Sequence, residues 1–381
     1  MFVLNGSFSD PSYMREYLTY AASAYLGCQT PYIEYCNLYI NGELFGFYLC
    51  IEAYDDSFVE RYTDSEDTVL YKAESENCTL LTSDDASGFE IQYGEDEDNT
   101  NVKNLISVLN NTTEENKAKL EEILDVDSAL KAIAVNTVMG NYDCYSGSKA
   151  HNYYLLYSEG MFSYIGWDYN MSIGGFSEDQ GASVDVDISS PVYGVDISQR
   201  PLIEKLLAID EYNERYLGYV ESLVDYLSNF EGMVSDLADK IRVNVQNDPS
   251  AFYTIDKFEE NIIASDVDLS ELEDKTAGGM GRKDGEIMRP DGQDFSGQMP
   301  YGKPQKMQGS SSDTNANFEG MQPPGSGSQN DTDTQVPENG EKFEGQKMWG
   351  HGGGMSVKID AVSIIDYITQ RIKFIKDQES K

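Results

Sequence analysis

Two acids and the residues between them are where this chain could do chemistry. Residues 141–175, NYDCYSGSKAHNYYLLYSEGMFSYIGWDYNMSIGG, place Asp143 just after a helical run and Asp168 directly after a short aromatic and β-branched run. Carboxylates at a strand edge, held by a hairpin and followed by glycines, suit magnesium-dependent phosphoryl transfer. One acid orients or deprotonates a hydroxyl, and the other holds metal on phosphate oxygens. An ordinary hairpin with solvated acids at its mouth has the same pattern. Asn152, a neutral oxygen donor between the acids in sequence, is a candidate second metal ligand or a hydrogen bond that ties the hairpin. Trp167 and Tyr142 could stack on an adenine ring or pack in the core.

The elements that must position these groups can be read around them. Asp127 reads as the cap of a helix running through Leu130, Ile133, Ala134 and Val138 to Gly140, which delivers the chain to Asp143. Runs at 153–157 and 161–165, joined by Ser158, Glu159 and Gly160, read as a hairpin that ends at Asp168. Upstream, Asp10-Pro11 opens a helix that Gly27 closes, with Met14, Tyr17, Leu18, Ala21, Ala22 and Tyr25 at helical spacing. Asn41-Gly42 between runs at 32–40 and 44–51 marks a type I′ hairpin, and Glu52 ends its second strand as an acid facing water. Residues 55–62 read as a short helix and 69–73 as a buried strand carrying Lys72. That lysine needs an anion, which a nucleotide phosphate would supply, unless it snorkels to the surface. Residues 74–100 read as an irregular acidic excursion. Thr112-x-x-Glu115 reads as a capping box opening a helix to Leu124. Past an acidic loop containing Asp185 and Asp187, Pro201 opens a series of amphipathic helices, at about 211–229, 231–245 and 250–264.

At 381 residues the chain can bury a large core, one catalytic domain plus an accessory segment. With 27 basic against 67 acidic side chains, a net charge of −40 repels phosphate, so nucleic acid is a poor partner and basic proteins fit better. Solubility alone would also account for such a surface. Five cysteines without C-x-x-C spacing and two histidines argue against a zinc site or a disulfide framework. No apolar stretch of about 20 residues suggests a membrane span, and no signal peptide stands at the start; the opening MFVLNGSFSD reads like the middle of a domain. Residues 277–355 hold six of the eleven prolines and seven of the thirteen methionines with few branched apolar residues, the composition of a disordered spacer. Periodicity returns at 360–376, so 356–381 should fold back onto a domain formed by 1–276.

The pattern D…NYYLY…G…WD-x-[DN]…G, preceded by an R-x-x-L-x-Y helix and a YINGE-x-x-G-x-Y-x-x-x-E hairpin, resembles the spore-coat protein H (CotH) family of atypical protein kinases. The matching segments are 15–20, 39–52, 70–73, 141–175 and 200–216. The resemblance implies an α+β kinase-like domain, a β-hairpin sheet packed on a helical lobe with nucleotide in the cleft. It implies ATP and Mg2+ as cofactors and transfer of the γ-phosphoryl group to a serine or threonine of a secreted, coat or surface protein, basic or Ser-rich. Asp143 would then be catalytic, Asp168 and Asn152 metal-binding, and Lys72, Glu52 and Trp167 cofactor-binding. Asn170 stands where the family often has a second Asp, which bears on metal affinity. Upstream of Arg15 the resemblance implies further strands, including a K-x-[ST]-aromatic element with a phosphate-binding lysine, so the N-terminal strands read as truncated. It favours a spore coat or bacterial cell-surface location. Two rival classes are a coat protein that kept the fold without the chemistry, and a glycoside hydrolase, which also uses two carboxylates.

Overall fold

The computed structural model describes residues 1–74, 77–176, 182–265, 267–269 and 361–379. All of them fall in one of two compact units, Met1–Met280 with Lys358–Lys381, the other being Gly281–Val357. The expected spacer at 277–355 lies outside the described residues.

The architecture is α+β, with two antiparallel sheets and a set of helices. The first sheet has the order β1-β3-β2, from β1 (Phe2–Asn5), β2 (Ile33–Ile40) and β3 (Glu43–Glu52). Asn41 and Gly42 both take positive φ, 53° and 86°, as the type I′ turn requires. Phe47, Leu49 and Ile51 alternate into the core. β1 was not expected, because four residues are too few to display an alternation. It pairs with β3 from Phe2↔Glu52 to Asn5↔Leu49.

Helix α1 spans Arg15–Tyr25 and so begins four residues later than Asp10-Pro11 suggested. Tyr13 at φ 60° interrupts the chain between them. Asp10 still organises the start: its carboxylate accepts the Ser12 N–H at 2.9 Å, the Arg15 N–H at 2.8 Å and Arg15 Nη1 at 2.6 Å. Both side chains of this ion pair are buried. Removing one partner of a buried pair strands the other charge, so Asp10→Ala should cost about 3–5 kcal/mol. The midpoint of urea unfolding checks this, and an unchanged midpoint would show Asp10 to be dispensable.

The second sheet has the order β5-β4-β6-β7, from β4 (Val69–Ala73), β5 (Phe89–Tyr93), β6 (Tyr153–Ser158) and β7 (Met161–Gly166). Glu159 and Gly160 make the two-residue turn between β6 and β7, again with both φ positive. Strand β5 lies inside the expected irregular excursion. Its middle residues Glu90, Ile91 and Gln92 are exposed, so it is an edge strand without apolar alternation. Between the sheets in sequence lies α2 (Asp56–Tyr62), capped by Asp55.

Helix α3 (Thr100–Asn110) buries Val102, Leu105, Ile106 and Leu109. Thr112 follows it, donating Oγ1 to the Val108 carbonyl at 2.9 Å, which corrects the capping-box reading: this threonine closes one helix instead of opening the next. Only the short α4 (Ala118–Glu121) follows. Asp125, not Asp127, caps α5 (Val126–Val138) through the Ser128 N–H at 3.2 Å. Asp127 instead takes Arg215 and the Tyr219 hydroxyl, the latter at 2.6 Å. Nearly every residue of α5 is buried, as a helix packed on several sides requires, and it lies against β7, α1, α6 (Pro201–Leu207), α7 (Asp210–Tyr226) and α10 (Ile364–Glu379). Helices α8 (Phe230–Asn247) and α9 (Ile255–Asn261) complete the set. Among the described residues no helix is long and apolar enough to cross a membrane, and none of the five cysteines is in a disulfide.

Candidate active site

Helix α5 ends at Val138, and the chain turns through Gly140 and Asn141, whose backbone N–H and side-chain amide both bond to Asn136 at 2.9 Å. The following turn is pinned from below by buried Arg200, which donates Nε to the carbonyls of Tyr145 at 2.7 Å and Gly147 at 3.1 Å. Asp143 is thereby held with its carboxylate toward His151 Nε2 at 2.9 Å and Lys149 Nζ at 3.4 Å. Burial would push this carboxyl up, but the His151 hydrogen bond and the charges of His151 and Lys149 bring it below the ordinary aspartate value.

Asp168 leaves β7 in the left-handed conformation, φ 56° and ψ 67°, and opens a short turn at Tyr169–Met171 that packs on α1. Its carboxyl is raised, first by burial and then by the charge of Asp143, while His151 and Lys72 pull it down and the Asn170 N–H bonds to it. The two acids that stand 25 residues apart in sequence therefore act on each other through space. Positive φ recurs around them at Ala150, Asn152 and Ile173. Asparagine and aspartate tolerate this region, whereas for a β-branched isoleucine it is strained, a condition that collects at functional sites.

Asn152 joins the two loops. Its side-chain amide donates to the Asp143 carbonyl at 2.7 Å, and its own carbonyl accepts the Trp167 N–H at 3.1 Å. The hydrogen bond expected to tie the hairpin is formed, and it uses the amide nitrogen. Lys72 lies on β4, opposite Tyr154 of β6, and forms an ion pair with Glu74 while its charge reaches Asp168. Trp167 packs on Tyr54 and Tyr154, with ring centroids 4.8 and 5.9 Å away. Tyr142 is buried with its ring 5.4 Å from that of Tyr193. Glu52 corrects the expectation of an acid in water: it is buried, paired with Arg61 at 2.5 Å, and accepts the Tyr32 N–H at 3.0 Å. Both partners meet the same carboxylate oxygen, Oε2, and fix α2 to the hairpin.

Sequence reasoning missed Glu16. It lies on α1, buried, accepting Asn5 Nδ2 at 2.5 Å and the Tyr169 N–H next to Asp168. Its carboxyl is pushed up to about 8, first by burial and then by the charge of Asp168. A value raised in the folded state gives stability that is fully present below about 4.5 and is lost as pH rises through about 8. Glu16→Gln keeps an acceptor for Asn5 and removes the titration. Wild-type stability should therefore fall by on the order of a few kcal/mol between about pH 5 and about pH 8, and the variant should lose most of that slope. Urea titrations at the two pH values measure it; equal slopes would take Glu16 out of the buried acid network.

The donors present fit a divalent cation. Two acids share a half-buried site, and the side-chain oxygen of Asn170, two residues after Asp168, is buried with no hydrogen-bond partner. Among the described residues no three His, Cys, Asp or Glu side chains form a metal cage. A cation held by one carboxylate and amide oxygen, with its other positions left for phosphate and water, matches how magnesium is usually bound. Asp168 and Asn170 would hold it.

An acid pair borne by the loop after a central buried helix and by the end of a hairpin, with a strand lysine in electrostatic reach, marks the candidate site of this α+β protein. The sequence model of the CotH kinase protein family matches residues 1–266, and the chain belongs to that family. It is 25% identical over 270 residues to the inner spore coat protein H of Bacillus subtilis (strain 168), across 67% of this chain and 72% of that protein.

Proposed function

We propose that this chain is a magnesium- and ATP-dependent protein kinase with a kinase-like fold, acting on serine or threonine of a coat or surface protein. The observation that carries this reading is the coupling of Asp143 and Asp168 across one site. The acceptor oxygen attacks the γ-phosphorus, its proton passes to Asp143, the new O–P bond forms, and the bond to the β–γ bridging oxygen breaks as ADP leaves. Asp143 suits this task because His151 and Lys149 keep it ionised and fix one of its oxygens. Bound magnesium would neutralise the charge that builds on the phosphates. Lys72 supplies a protein cation on the nucleotide side, where Trp167 edges the site.

A cavity of about 620 Å³ lined by Glu74, Thr79, Ser148, Lys149, His151 and Arg200 opens beside Asp143 and offers the acceptor a place. In this reading 1–276 are the catalytic domain, 277–355 an inserted spacer, and 356–381 the returning segment. The acceptor is a protein, basic or Ser-rich, and the relative's name favours a spore coat location. That same name favours a second reading, a coat component without chemistry. Incubation with γ-labelled ATP, magnesium and a basic Ser-rich peptide decides between them: label on the peptide or on the protein itself supports the kinase, and label on neither supports the coat component.

A further inference from the structure

The family match ends at residue 266, yet the helix α10 that lies beyond it touches the backbone on both sides of the acid pair. Tyr367 is fully buried. A Cβ built on Gly140 would stand 1.9 Å from the Tyr367 hydroxyl oxygen, and one built on Gly174 would stand 2.6 Å from its ring. Both glycines have positive φ, so this tyrosine occupies room that only glycine leaves at either place. Gly140 precedes Asp143 by three residues and Gly174 follows Asp168 by six. The tyrosine hydroxyl also meets Ser183 Oγ at 3.0 Å.

One turn further along α10, Arg371 is equally buried. It donates Nε to the Thr137 carbonyl, near the end of α5, at 3.1 Å, and Nη1 to the carbonyls of Val184 and Val186 at 3.0 and 2.6 Å. Just before α10 the Val362 carbonyl accepts Arg15 Nη2 at 2.6 Å, and the same guanidinium donates Nε to the Ile173 carbonyl at 3.3 Å. The segment is thus wedged against the end of α5 that leads to Asp143, the turn that follows Asp168, and the helix that carries Glu16.

We infer that α10 is a built-in clamp, with Tyr367 and Arg371 as positioning residues that set the separation of the Asp143 loop from the Asp168 turn. Close-packed interiors transmit a lost contact as a shift of the backbone it supported. A displacement of about 1 Å at reacting groups can cost roughly 10²-fold in rate. The loop-closure cost of the long connection before α10 grows only logarithmically with its length, so length does not forbid docking. The consequence for rate rests on the kinase reading; the consequence for loop order does not.

The test uses the full chain with Tyr367→Ala and Tyr367→Phe, followed by hydrogen exchange and by steady-state phosphoryl transfer. For Tyr367→Ala we expect exchange to rise about tenfold or more at 139–145 and 168–175 but not at 33–52, and kcat to fall roughly 10²-fold with KM for ATP within about twofold. Tyr367→Phe keeps the ring between the glycines and should stay within about threefold of wild type in both readouts. Should the alanine variant not fold, Tyr367→Leu takes its place. Unchanged exchange at both loops, a rise spread equally over 33–52, or loosened loops with unchanged kcat would overturn the clamp. A phenylalanine variant as impaired as alanine would overturn the ring's role. If wild type transfers no phosphate, the kinase reading fails and exchange alone decides the clamp.

Discussion

Asp168→Asn should abolish phosphoryl transfer and leave the protein folded. Asparagine accepts the left-handed φ of 56° that this position requires, so the turn on α1 can form as before. The lost charge costs the fold nothing near neutral pH. The carboxyl is raised by burial and by Asp143, which means that ionising it is unfavourable in the folded state, and the neutral amide relieves that repulsion. What the substitution removes is the anion expected to hold metal on the phosphates. Charge stabilisation of that kind is worth several kcal/mol at the transition state, so activity should drop on the order of 10³-fold or more. Transfer to a peptide, with thermal unfolding as the control for fold, measures both halves. An active Asp168→Asn protein would refute the assignment.

Asp143→Asn should act differently. The amide retains the shape of the carboxylate and its contact with His151 and Lys149, but it cannot take a proton from the acceptor hydroxyl. A positioned base is worth roughly 10²- to 10⁴-fold, so kcat should fall by that much, while KM for ATP should change little, since in the proposed kinase the nucleotide would meet Asp168 and Lys72 instead. Steady-state kinetics in ATP separate the two effects. A variant that loses ATP affinity with kcat intact would move Asp143 to the nucleotide side.

Much of the site was legible because its supports are local. Asn41-Gly42 and Glu159-Gly160 announce their hairpins through the φ they need, and the helical period before Gly140 places Asp143 at a helix exit. Lys72 was visible as a charge in an apolar strand. Helix α3 carries the same kind of local signal, Val102, Leu105, Ile106 and Leu109 at helical spacing, although no element was assigned there from the sequence. Glu16, Arg15 and Arg371 could not be read in this way. Each is a charged side chain on a helix, and local pattern assigns such residues to water. Only the tertiary arrangement brings Asp10, the Ile173 carbonyl and the Asp168 turn to them. Glu52 shows the same limit: a strand-end acid became buried because Arg61, nine residues on, folded over it.

The most direct measurement is phosphosite mapping by mass spectrometry. Wild type, Asp143→Asn and Asp168→Asn are each incubated with magnesium, saturating ATP and a basic Ser-rich acceptor protein. The expected result is phosphoserine or phosphothreonine on the acceptor with wild type, dependent on magnesium, and little or none with either variant. Phosphorylation by the Asp168→Asn protein at the wild-type level, or none by the folded wild type at saturating ATP, would contradict it.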